Sequence, residues 1–282
     1  MIQIITDSAA DFEPWELKQL NIACIPLRVS FGDREYQENV DLTKDQFYEL
    51  LSEVEELPKT SQASPQLLMD LFEQAHARGD GAVYITLSSA LSGTYQNALM
   101  TKNLLGYDDC HVVDSRNATG GQRLIVEYAV RLRDEGKTPE EIIAGIEDVR
   151  GRICLYACMD TLKYLYLGGR ISQTAYKLGN LANIKPIITV ERDGHVGVPS
   201  KAMGMRKGMD YMAKRAEAVA QDTDFPFYAM YTSNRSVAET LAQKLCSQGL
   251  EIPENRIIQV GAAIGSHVGP EACGLVYVES DK

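Results

Sequence analysis

The stretch that most constrains this chain is AVYITLSSALSGTYQNALM, residues 82–100. Its first five residues are apolar and partly β-branched, the composition of a short buried strand. SSALSGT (88–94) then brings Ser88, Ser89, Ser92, Gly93 and Thr94 into one turn. From Tyr95 onward the sequence suits a helix, with Tyr95, Leu99 and Met100 roughly on one face. A strand that leaves through such a turn into a helix directs unpaired N–H groups beyond its carboxyl end. That arrangement suits a carboxylate or a phosphate. Ser92 and Thr94 add hydrogen bonds, and Gly93 allows close backbone approach. The same residues also suit a plain helix N-cap, so the turn alone leaves both readings open.

Upstream and downstream of that turn, strand and helix alternate. IQIIT (2–6) is a strand running into Asp7-Ser8, Pro14 opens a short helix, and CIPLRVSF (24–31) is a second strand. Thr43 and Gln46 form a capping box. PKTSQASPQ (58–66) is a polar loop ending with Ser64 as N-cap and Pro65 at the first helical position. HVV (111–113) runs into Asp114-Ser115, and GGQRLIVEYAVRLRDEG is a helix stopped at Gly136. Thr138-Pro139-Glu140-Glu141 is a complete helix start. Alternation of this kind predicts a parallel sheet wrapped by helices. The polar ends TDS (6–8), SSALSGT and DS (114–115) then share one edge, where open α/β sheets bind ligands.

The remainder reads differently. RICLYACM (152–159) is a strand, and a helix from Thr161 is broken at Gly168-Gly169, with Arg170 just beyond. Asp193-Gly194 turns a hairpin between IKPIITV and HVGVPSK. MRKGMDYMAKRAEAVAQ and VAETLAQKLCSQG are helices, and FYAMYTS, RIIQVG and GLVYVES are strands. The fold expected is α/β with two domains, a parallel-sheet domain over 1–150 and a mixed-sheet domain over 151–282, with a ligand between them.

The excess of 39 acidic over 28 basic residues, net −11, repels phosphate backbones and argues against a nucleic-acid partner. No run approaches the ~20 apolar residues of a membrane span, and MIQIITDSAADF lacks the pattern of a secretory signal. The six cysteines include no CxxC and read as reduced, mostly buried thiols of a cytoplasmic protein. Four histidines at 76, 111, 195 and 267 show no zinc-ligand spacing, so no metal is expected. Dinucleotide, Walker and GxSxG motifs are absent, and no cofactor is expected. His267, among glycines in GSHVGP (265–270), reads by itself as a surface turn residue.

Taken in order, TDSAAD, VDLT (40–43), PKTSQASP, LSSALSGTYQNA, VVDS, GGRIS, IKPI and GSHVGP resemble the DegV family nearly end to end. The resemblance implies a two-domain α/β protein, bacterial and cytoplasmic, that holds one long-chain fatty acid between its domains. It further implies a carrier that turns nothing over itself. The carrier presents the acyl chain to a separate ATP-dependent fatty acid kinase, at the entry to phospholipid metabolism. Carried over by motif, Thr60 and Ser92 hydrogen-bond the carboxylate, Ser61 and Gly93 sit beside them, and His267 lies near the same head group. Arg170, expected on a loop rather than packed, matches the surface contact with the kinase. This sequence departs from the family pattern at Ala90, at Asn39-Val40 and at Glu271, which brings a carboxylate close to His267 in sequence.

Two other functions compete. An acyl hydrolase would use Ser92 as nucleophile and His267 as base, with Glu271 or Asp7 as the acid partner. A binder of a small phosphorylated metabolite would use the strand ends alone.

Overall fold

Strands and helices are interspersed as far as Arg150 in the computed structural model, which describes residues 1–54, 56–179 and 184–281. The chain begins β1 (Ile2–Asp7), α1 (Pro14–Gln19), β2 (Ile22–Ile25), β3 (Arg28–Phe31) and β4 (Arg34–Gln37). It continues α2 (Lys44–Glu53), β5 (Lys59–Ser61), α3 (Pro65–Ala77), β6 (Gly81–Thr86) and α4 (Thr94–Leu105). β7 (Cys110–Asp114), α5 (Thr119–Asp134) and α6 (Pro139–Arg150) follow. Beyond them come β8 (Ile153–Met159), α7 (Lys163–Leu167), α8 (Gln173–Gly179), β9 (Ile184–Val190), β10 (Val196–Met203) and α9 (Gly204–Glu217). The last elements are β11 (Tyr228–Tyr231), α10 (Arg235–Cys246), β12 (Ile257–Gln259), α11 (Ala262–Val268) and β13 (Ala272–Val278).

The first sheet is parallel throughout, in the order β2-β1-β6-β7. Alternation along β6 sorts its two faces: Ala82 and Tyr84 pack toward α3 and α4, Val83 and Ile85 toward α5 and α6. The second sheet is mixed, in the order β10-β9-β8-β13-β11-β12, with α9 and α10 covering one face. Its other face meets α5. One hydrophobic cluster joins Ile4, Val83 and Leu124 to Leu155, Met230 and Val276, so both sheets bury residues against that helix. Gly120 permits the close approach, since a Cβ there would come within 2.7 Å of Val276 Cγ1 and 2.8 Å of Met230 Sδ.

Local signals hold at most element ends. Thr43 and Thr138 each form the full capping box, and Asp193-Gly194 turns the β9–β10 hairpin. Two expectations are corrected. Residues 24–31 are two strands in different sheets: β2 pairs parallel with β1, whereas β3 pairs antiparallel with β4 and β5. Pro26 stands between them, with no N–H to give to a ladder. The polar loop 58–66 contains β5, with Thr60 opposite Val29. On α4 the buried face is Thr94, Ala98 and Thr101, and Met100 is exposed. The cysteines are free thiols, of which Cys246 is exposed. Among the described residues no helix is long and apolar enough to cross a membrane.

Candidate functional site

Parallel strands bring the polar ends of β1, β6 and β7 together as expected. The N–H of Leu87 donates to Asp7 (2.7 Å), and Ser89 donates to Asp114 through its N–H (3.0 Å) and its hydroxyl (2.5 Å). Ser88 reaches across to the β9–β10 turn, donating to the Gly194 carbonyl at 2.9 Å. Between this edge and the inner face of the second sheet lies a cavity of about 500 Å³. Its walls are mainly apolar, with Leu155, Ala157, Ile188 and Met230 from the second sheet, Leu165 from α7 and Ile264 from α11. That volume lies within the range of small-molecule sites.

The polar residues on this cavity include Thr60, Ser61, Gln62, Ser92, Gly93, Arg170 and His267. All six of the residues carried over by motif therefore meet at one place. His267 is not on a surface turn: it occupies the last turn of α11, and its Nε2 lies 3.0 Å from Thr60 Oγ1. Burial, with the nearby Arg170 charge, pulls its pKa down to about 4, so the ring is neutral near pH 7. Ser92 Oγ lies 2.9 Å from Thr94 Oγ1. The turn keeps most of its N–H groups for itself. From Leu87 to Thr94, only that of Gly93 lacks a partner among the described residues. Gln62 closes over Gly93, where a Cβ would fall 2.1 Å from its amide nitrogen. Gln62 was missed as a site residue, although it lies inside the PKTSQASP motif.

Arg170 is packed rather than freely presented. It is half-buried, its Nε donates to the Leu91 carbonyl at 3.0 Å, and a second nitrogen donates to the Gly168 carbonyl. No hydrogen bond joins Ser92 to His267. Asp7 is engaged by Leu87, Ala9 and Gln122, and Glu271 is exposed. Among the described residues, no hydrogen bond links Ser92, His267 and either of the acid partners Asp7 and Glu271.

Behind α11 lies a feature that the sequence did not announce, a group of three buried carboxylates. Asp11 accepts from the Gly261 N–H (2.8 Å) and from the Thr119 hydroxyl. Glu38 accepts from Ser8 (2.5 Å) and from the Ala263 N–H (3.1 Å). These two carboxylates satisfy the first N–H groups of the helix that carries His267. Burial raises Asp7 and Asp11 to about 6 and Glu38 to about 7, against the opposing charge of Lys44 at Asp11 and Glu38. Each raised carboxyl keeps a proton that the unfolded chain releases near pH 4. The stability it contributes is therefore present below that pH and lost as pH rises through 6 to 7. Tm should fall between about pH 4 and pH 7, and Glu38→Gln should flatten the fall by on the order of 1–3 kcal/mol. Thermal melts across that window check this. A Tm that climbs throughout, identically in wild type and Glu38→Gln, would contradict it.

The DegV family profile, described as an uncharacterised protein family, matches residues 1–280. A DegV domain-containing protein of Caldanaerobacter subterraneus subsp. tengcongensis is 34% identical over 282 residues, covering 99% of each chain. Among solved structures, a DegV family protein of Thermus thermophilus described by its fatty acid binding gives a TM-score of 0.88 at 28% identity, over 99% of both chains. DegV of Bacillus subtilis, a fatty acid binding protein, gives 0.84 at 25% identity, also over 99% of each. The layered sheets, the shared edge and the end-to-end match lead to one assignment: this chain belongs to the DegV family.

Proposed function

We propose that this chain binds one long-chain fatty acid in the cavity between residues 1–150 and 151–282, as two domains around one ligand. The carboxylate lies against Thr60, Ser92 and the Gly93 N–H, with Ser61 and His267 beside it. The observation that carries this reading is an apolar cavity of about 500 Å³ bordered by hydroxyls and a neutral histidine. The fatty acid binding described for the relatives of Thermus thermophilus and Bacillus subtilis supports it. A chain of ~16 carbons gains about 0.8 kcal/mol per buried methylene, so roughly 10 kcal/mol is available before binding costs. The head then needs only enough donors to stay satisfied. Neutral donors leave the carboxylate open to further chemistry, which suits a cytoplasmic carrier that presents its cargo to a separate ATP-dependent kinase. Arg170 serves the kinase contact through whatever part of its guanidinium is not engaged by Leu91 and Gly168.

Protein purified from cells should release a fatty acid of roughly C14 to C20 in native mass spectrometry. Thr60→Ala and Ser92→Ala should each weaken binding by about 1–2 kcal/mol, and the double variant should lose less than the sum. Wild-type affinity in the double variant, measured by displacement of a fluorescent fatty acid, would remove the carboxylate from this turn.

A further inference from the structure

Beneath the head-group turn, Tyr84 presents a chemical problem. The residue is wholly buried on β6, and its hydroxyl has no hydrogen-bond partner among the described residues. Between β6, α3 and α4 lies a cavity of about 10 Å³ lined by Tyr84, Ser64, Thr94, Asn97 and Thr101. That is about the least room that holds one water molecule, and a polar lining is the other requirement. We propose that one water sits there and that Tyr84, acting through it, orients the Ser92 hydroxyl toward the ligand.

The hydrogen-bond directions close without a loose end. Thr101 donates its own proton to the Asn97 carbonyl (3.0 Å), so its oxygen can only accept from the water. Tyr84 donates to the water, and the water donates to Thr101 Oγ1 and to Thr94 Oγ1. In the proposed arrangement Thr94 turns its proton to Ser92 Oγ, 2.9 Å away, which already accepts from the Thr94 N–H at 3.3 Å. Both lone pairs of Ser92 are filled by this, and its one remaining capacity is to donate. A hydroxyl committed to donating favours the stronger, charged acceptor, a carboxylate over an alcohol. Tyr84 is a positioning residue, since it touches no ligand. The last link rests on the proposed carboxylate site, whereas the water does not.

Tyr84→Phe is the test, read with palmitate and hexadecanol as probes. Tm should fall, and palmitate affinity should fall about three- to tenfold. Hexadecanol should lose less, because an alcohol can donate as well as accept and tolerates either orientation of Ser92. A raised Tm with unaltered palmitate affinity would mean that the phenol sits unpaired in a dry space, and the proposal fails. Equal losses for both probes would make Tyr84 structural only, and the positioning role fails. A high-resolution crystal structure tests the water independently of affinity: density between Tyr84, Thr94 and Thr101 supports it, and empty space there overturns it. Should Ser92→Ala bind palmitate like wild type, the carboxylate reading falls, and the density still decides the water.

Discussion

Arg123→Met should lower the unfolding free energy by about 2–3 kcal/mol, because it leaves the partly buried carboxylates of Glu16 and Glu127 without their partner. Arg123 is buried on α5 and pairs with both oxygens of Glu16 on α1, one of them at 3.1 Å. Its Nε donates to Glu127 at 3.1 Å, and its guanidinium stacks over Phe12 and Tyr228 at 4.4 and 5.0 Å. Tyr228 lies on β11, and its hydroxyl donates to the same Glu127 at 2.6 Å. One side chain therefore ties α1, α5 and the second sheet together. Methionine keeps much of the volume and removes the charge, so the loss reports the ion pairs rather than a hole. Urea titration measures it. A change below about 1 kcal/mol would mean that Glu16 and Glu127 find water instead, as surface pairs do.

Ala157→Phe should weaken binding of a C16 fatty acid by about 3 kcal/mol, more than a hundredfold, while leaving Tm level or higher. Ala157 lines the cavity from β8, in register with Ile188 on β9 and Gly274 on β13. A phenyl ring there takes the room of roughly four methylenes at about 0.8 kcal/mol each. It also adds apolar contact to the empty protein, which is why stability should not suffer. Displacement titrations with C10 and C16 acids separate the cases, since the shorter chain should be affected less. Equal C16 affinity in variant and wild type would place the tail along another wall.

The sequence makes the first sheet legible because its signals are local. Apolar runs of strand length, Thr43 and Thr138 at helix starts, and polar residues closing each strand all act within a few positions. What it hides depends on partners far along the chain. β5 is a polar strand whose only signature is its pairing with β3, some thirty residues away. α11 looks like a glycine-rich turn because its N–H groups are capped by Asp11 and Glu38, from the other end of the protein. Arg170 follows a glycine break and reads as solvated, yet Leu91 holds it against the cavity. The residues proposed for the head group were legible through ordered motifs. The apolar walls were not, because a cavity-lining leucine has the same pattern as a core leucine.

The sharing of α5 between the two sheets bears on how this molecule can move. Cavities between domains commonly open by a hinge, in the manner of a clamshell. Here that swing would strip Leu155, Met230, Tyr228, Ile258, Val276 and Val278 from the cluster they share with α5, β1 and β6. At about 1.5–3 kcal/mol for each large side chain, exposing six of them costs on the order of 10 kcal/mol. That is comparable to the whole stability of an ordinary domain. Rigid-body opening and global unfolding are then nearly the same event. A ligand of the proposed kind would enter and leave by local displacement around the cavity, and its exchange rates should follow the softness of that rim rather than any motion of one half against the other.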